Sequence, residues 1–195
     1  MIRRNGRFAP VLLAALLAGA AVRATGAEPS LRSGPQVGER PLPFTSNMVT
    51  GEHRGRQYCY VCELKDEPAA LVFLRRVDPA AARLLRGLRE AVETHRGAKL
   101  FAWVVFLGGT DAAAQLALER ESFDLARACE STQVPVSVLG DPQGPPGYRI
   151  APEAAATVLF FRSGKVLYNR AYRAKEWTAG AAGAALRDLP GALGL

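Results

Sequence analysis

Ala69-Ala70-Leu71-Val72-Phe73-Leu74 and Leu100 to Leu107 are unbroken apolar runs, and between them the chain switches to a three- and four-residue repeat. Short runs of this kind fit strands covered on both faces, the situation inside a parallel sheet. In the intervening stretch Asp78 stands where it would cap a helix with Pro79 at the first position. Ala81, Leu84, Leu85, Leu88 and Val92 then fall on one stripe, and Gly97 lies just beyond as a stop. A helix between two such strands is the crossover that parallel neighbours require.

The pattern continues. Gly108-Gly109-Thr110-Asp111 turns the chain into a second helix, expected to point Leu116, Phe123 and Ala126 inward, and Val134 to Leu139 is a third strand. Gly140 to Gly147, with three prolines, is a surface loop, and Tyr148 and Ile150 lead on from it into a short turn. Thr157–Phe161 and Lys165–Tyr172 read as a hairpin turning at Ser163-Gly164, and an alanine- and glycine-rich helix begins near Thr178. Ahead of all this, Pro41-Leu42-Pro43-Phe44 with Asn47, Gly51 and Gly55 suggests an extended or hairpin-like segment. Such an order calls for one mixed sheet with helices packed on both faces.

Arg3, Arg4 and Arg7 precede an apolar stretch from Ala9 to Val22, with small residues at Thr25-Gly26-Ala27. This is the pattern of an export leader over residues 1–27, cleaved before Glu28. Residues 28–37 then read as a linker, 38–190 as the domain and 191–195 as a C-terminal tail. The leader holds four arginines and no acids, so the net charge of +7 becomes +7 − 4 = +3 without it. The remaining Lys and Arg are dispersed, which argues against a nucleic-acid partner. No later segment is long and apolar enough to hold the mature chain in a membrane.

The succession resembles the thioredoxin-like superfamily, most closely its redoxin branch, which includes peroxiredoxins and exported thiol-disulfide proteins. Val37-Gly38 with Pro43-x-Thr45 and Gly51 is similar to the redoxin amino-terminal pattern. Val136 to Tyr148, with Asp141 and Gly144, is similar to the stretch after the third strand, and Val158 to Val166, with Gly164, to the hairpin. The resemblance spans roughly Val37 to Leu189 and implies a three-layer α/β fold with a mixed central sheet. It also implies a reactive cysteine in the turn after the first core strand. That turn here is Arg75-Arg76-Val77-Asp78-Pro79, and no cysteine lies between Cys62 and Cys129, so a peroxidase built on that turn is not expected. The family's cis-proline before the hairpin is replaced by Ala154-Ala155-Ala156-Thr157, where ordinary trans bonds are expected.

The chemical candidates are Cys59 and Cys62, in Cys59-Tyr60-Val61-Cys62, upstream of the first core strand. Their spacing permits a small disulfide ring in which one thiol attacks a partner and the other resolves the mixed disulfide. Three readings stay open: a disulfide that clips the leading segment beside the core, a redox pair, and a metal site. Only one C-x-x-C is present for a zinc site, with His53 and His95 as unpaired extras, and Glu63 stands where haem attachment needs histidine. No metal or other cofactor is expected. Arg54 and Arg56 would lower a thiol pKa, and Glu63 and Asp66 would raise it. Cys129 falls on the stripe of the second helix and reads as buried.

The expected protein is therefore exported to the periplasm or beyond and exchanges disulfides with envelope or secreted proteins. Cys59, taken as the more exposed sulfur, attacks and Cys62 resolves. The alternative is a catalytically inactive binding module that presents its hairpin or the Gly140 loop.

Overall fold

The computed structural model describes Ser30 to Leu195, with Ile2, so the expected leader over residues 1–27 lies, but for Ile2, outside the described residues. The strands are β1 (Ser46–Met48), β2 (Gln57–Tyr58), β3 (Ala69–Leu74), β4 (Phe101–Leu107), β5 (Val136–Leu139), β6 (Ala154–Arg162) and β7 (Lys165–Arg173). They form one seven-stranded sheet in the order β2-β1-β5-β4-β3-β6-β7. β3, β4 and β5 run parallel, with Val72 opposite Val104 and Val104 opposite Val136, while β6 lies antiparallel to β3 and β1 to β5.

Four helices accompany the sheet: α1 (Tyr60–Glu63), α2 (Pro79–Thr94), α3 (Ala112–Ala128) and α4 (Ala179–Leu193). The three long ones start where short polar side chains can take an orphan N–H. Asp78 accepts from Ala81, Asp111 from Ala114 and Thr178 from Ala181 at 2.8, 2.9 and 3.2 Å. The stop expected at Gly97 is made differently. α2 ends at Thr94, a single 3-10 turn covers Arg96–Ala98, and Lys99 takes the left-handed conformation, with φ 56°. The hairpin turn is as expected, since Ser163 and Gly164 both adopt positive φ, the geometry that continues the twist of β6 and β7.

Side-chain parity divides the core into two faces. Ala70, Val72, Leu74, Val104, Phe106, Val136, Val158 and Phe160 pack with α2, α3 and α4. The alternate residues Leu71, Phe73, Trp103, Val105, Leu159 and Phe161 face the other way. Two right-handed crossovers taken in the same direction, β3 to β4 and β4 to β5, place α2 and α3 on one face. Helices thus stand on both faces but unequally: the second face is covered by the short α1, Phe44, and Tyr148 and Ile150 from the loop after β5. Tyr148 is fully buried there and donates its hydroxyl to the Leu42 carbonyl at 2.7 Å.

Three expectations need correction. Residues 30–37 do not behave as a linker: Ser33 is 1% exposed, bonds Thr157 through its hydroxyl at 2.7 Å, and takes the Ala151 N–H at 3.0 Å. Asn169 donates to the carbonyls of Ser33 and Pro35, and a Cβ on Gly34, at φ +75°, would meet Thr157 Cγ2 at 3.0 Å. The packed domain therefore begins five residues before Gly38. At the other end, residues 191–195 are no tail, because α4 continues through Pro190 to a buried Leu193 and ends on Gly194 in the left-handed conformation. Finally, Leu116 does not point inward and is 48% exposed. Ala126 is buried as expected and Phe123 packs against the core, while Ser122, not Leu116, is the other buried position of α3.

Candidate functional site

β2 leads directly into Cys59, which caps the single turn α1 in an extended conformation. Its sulfur accepts the Cys62 N–H at 3.2 Å, and the two cysteines are joined in a disulfide with Cα atoms 5.5 Å apart. The turn was not foreseen, because four residues are too few to show a helical period. It is fastened to the sheet by its apolar side. The Tyr60 ring lies 4.7 Å from Phe101 and 5.8 Å from Trp103, and Val61 and Leu64 pack on the same cluster. Burial, helped by the charge of Glu52, pushes the Tyr60 phenol up to about 12.

Cys62 is exposed and Cys59 only half-buried, which reverses the expected order of exposure. The disulfide turn is framed by Tyr58, whose ring stacks on His53 at 3.4 Å and whose hydroxyl donates to the Glu63 carboxylate. Arg54 and Arg56, expected beside the thiols, both line a hollow against α3 instead, with the Arg54 guanidinium 4.3 Å over the Phe123 ring. The Cys62 N–H is the polar group that points at the Cys59 sulfur.

α1 stands at the amino end of β3, whereas the turn that carries the cysteine in the resembled family follows the carboxyl end, a strand length of roughly 17 Å away. That second place holds Arg75, which lines a hollow there with the Asp141 to Gly147 loop. Its guanidinium donates to the carbonyls of Ala154, Pro142 and Ala151 at 2.8, 2.5 and 3.1 Å. Desolvation lowers its pKa, opposed by the charge of Glu153. Arg75 was missed because an arginine pair after an apolar run reads as the start of solvated chain. Asp78 acts as the expected cap, and the peptide bonds around Ala156 and Thr157 are trans.

Cys129 sits apart from the pair, 2% exposed, with its sulfur 3.7 Å from the Ala82 carbonyl of α2. Desolvation raises its pKa, against the charges of Arg86 and Arg89. Without reductant, an alkylating agent should therefore label nothing in the folded chain and Cys129 alone in denaturant, read by peptide mass. A label on Cys59 or Cys62 would contradict the pairing. His53 lies beside the disulfide turn through its contacts with Tyr58 and Tyr60, and among the described residues no cluster of three or more His, Cys, Asp or Glu stands ready for a metal ion.

No family model matches the sequence, and no curated protein does. Solved structures do match. A candidate protein disulfide isomerase from Bacteroides thetaiotaomicron superposes with a TM-score of 0.60 at 12% identity, over 85% of this chain and 96% of that one. Peroxidoxin BcpB from Mycobacterium tuberculosis gives 0.52 at 17% identity, over 80% and 97%. A secreted disulfide oxidoreductase from the same organism gives 0.52 at 11%, over 75% and 96%. At these identities the likeness is one of fold.

Proposed function

We propose that this chain, which has a thioredoxin-like fold, is an exported thiol-disulfide oxidoreductase whose redox pair, Cys59 and Cys62, works from the opposite end of the sheet to the fold's usual site. The observation that carries this is what the disulfide does not hold. Both sulfurs belong to one turn, and the turn is held on the sheet by Tyr60, Val61 and Leu64. A clip would be expected to join the leading hairpin to the core, and this bond joins neither element to anything else. In the chain-entropy picture a ring of four residues adds about 2 kcal/mol, at the low end for disulfides. A bond that ends on the exposed Cys62 and has little structural duty suits exchange.

In the reaction, the Cys59 thiolate, accepting the Cys62 N–H, attacks a sulfur of the partner's disulfide and expels the partner's other sulfur as a thiolate. Cys62 then gives up its proton and attacks the Cys59 sulfur of the mixed disulfide, which releases the second partner thiolate. Two electrons pass from this chain to the partner, and the protein is left with its Cys59–Cys62 bond. Export rests on the leader pattern of residues 1–27. Among the described residues no helix is long and apolar enough to cross a membrane.

The test uses Cys59→Ser and Cys62→Ser in reduction of a model protein disulfide. Both should lose turnover by about 100-fold or more, the order of a lost nucleophile or resolving group. Only Cys62→Ser should trap a mixed disulfide through Cys59. Equal turnover in wild type and variants would refute the reading. One observation favours a second reading, a catalytically silent binding module: Arg75 stands in the fold's usual redox turn and is held there by three hydrogen bonds. That reading gains if no variant differs.

A further inference from the structure

A hollow of about 520 Å3 lies between the β1–β2 hairpin and α3, on the face that carries the long helices. Leu116, Glu119, Arg120 and Phe123 follow one another at helical spacing along its α3 wall, and Met48 and Val49 close its floor. Leu116 is the apolar side chain that left the expected core stripe, and it is 48% exposed.

Three guanidinium groups, Arg54, Arg56 and Arg120, line the same hollow against one carboxylate, Glu119, a formal balance of 3 − 1 = +2. Glu119 accepts the Gln115 carboxamide at 3.0 Å, and Arg54 is held over Phe123. Among the described residues none of the three arginines forms an ion pair. Three like charges beside an apolar wall repel one another, and the arginine fork matches a phosphate in two-bond geometry. The cavity is of the size that takes a small molecule.

We propose that this hollow binds an amphiphilic phosphate monoester, its dianionic head between Arg54, Arg56 and Arg120 and its apolar chain over Leu116. The site is independent of the disulfide reading.

Titration calorimetry of the full chain with octyl phosphate, kept below its micelle concentration, should give saturable one-to-one binding. Arg56→Glu, Arg120→Glu and Leu116→Asp should each weaken it by about tenfold or more, the scale of a lost charge-assisted contact or a buried apolar one. Inorganic phosphate and 1-octanol, each lacking half of the ligand, should bind at least as weakly as the variants. Leu116 and the arginines are outside the core, and an unchanged circular dichroism spectrum verifies folding of each variant. The proposal is overturned by the absence of saturable binding, by charge-reversed variants that bind as wild type does, by inorganic phosphate binding as tightly as octyl phosphate, or by affinity for anionic vesicles without affinity for the monomer.

Discussion

Trp103→Ala should lower the unfolding free energy by about 3–5 kcal/mol, the cost of truncating a fully buried large aromatic side chain. Trp103 is 1% exposed at the middle of β4, and its ring centroid lies 5.6, 5.8 and 6.0 Å from those of Phe101, Tyr60 and Phe161. The face it occupies has no long helix to settle into the void; its cover there is the single turn α1 and irregular chain. Poor collapse places the loss toward the upper part of that range. Tyr60 loses part of its seat as well, so the disulfide turn should exchange its backbone hydrogens faster than the rest of the sheet. A shift of the urea midpoint at constant slope measures the first effect. A loss under about 1 kcal/mol would show that the second face is not a packed core.

Arg75→Leu should cost about 2–4 kcal/mol, less than three separate hydrogen bonds would suggest. The substitution takes the Arg75 donor from the carbonyls of Pro142, Ala151 and Ala154, of which Ala154 is in a buried residue and the other two in half-buried ones, and the Ala151 carbonyl keeps the Ala154 N–H at 3.0 Å. Water can reach the half-buried two, and removing a partly desolvated cation returns some free energy. Arg75→Lys should recover only part of the loss, because a compact ammonium cannot span three carbonyls held by a planar fork. If lysine restored full stability, the charge rather than the hydrogen-bond pattern would be what the site needs. Melting curves of the two variants decide it.

Much of the fold was legible because its signals are local. The apolar runs of β3 and β4, the Asp78-Pro79 start of α2 and the Ser163-Gly164 turn each lie within a few residues of the structure they specify. Where long-range contacts decide, the sequence was silent. Ser33 is ordered by Thr157, 124 positions away, and no pattern within residues 28–37 announces that bond. The outward placing of Leu116 was hidden by the many alanines of α3, which mark no sharp stripe, and by Ser122, a polar residue that is fully buried and bonds the Glu119 carbonyl. The positions of Cys59 and Cys62 before β3 placed them away from the fold's usual redox turn, and the structure agrees. Their relative exposure, set by how α1 lies on Phe101 and Trp103, was not readable from spacing.

Equilibration of the folded protein in glutathione buffers of graded potential, with the Cys59–Cys62 state read by alkylation and mass, bears most directly on the redox role. The expected result is a two-electron transition at a potential above about −300 mV, reached within the exchange time of an exposed disulfide. A pair that stays oxidised below that potential and exchanges with no thiol would contradict it, and the bond would then be a fixed part of the scaffold.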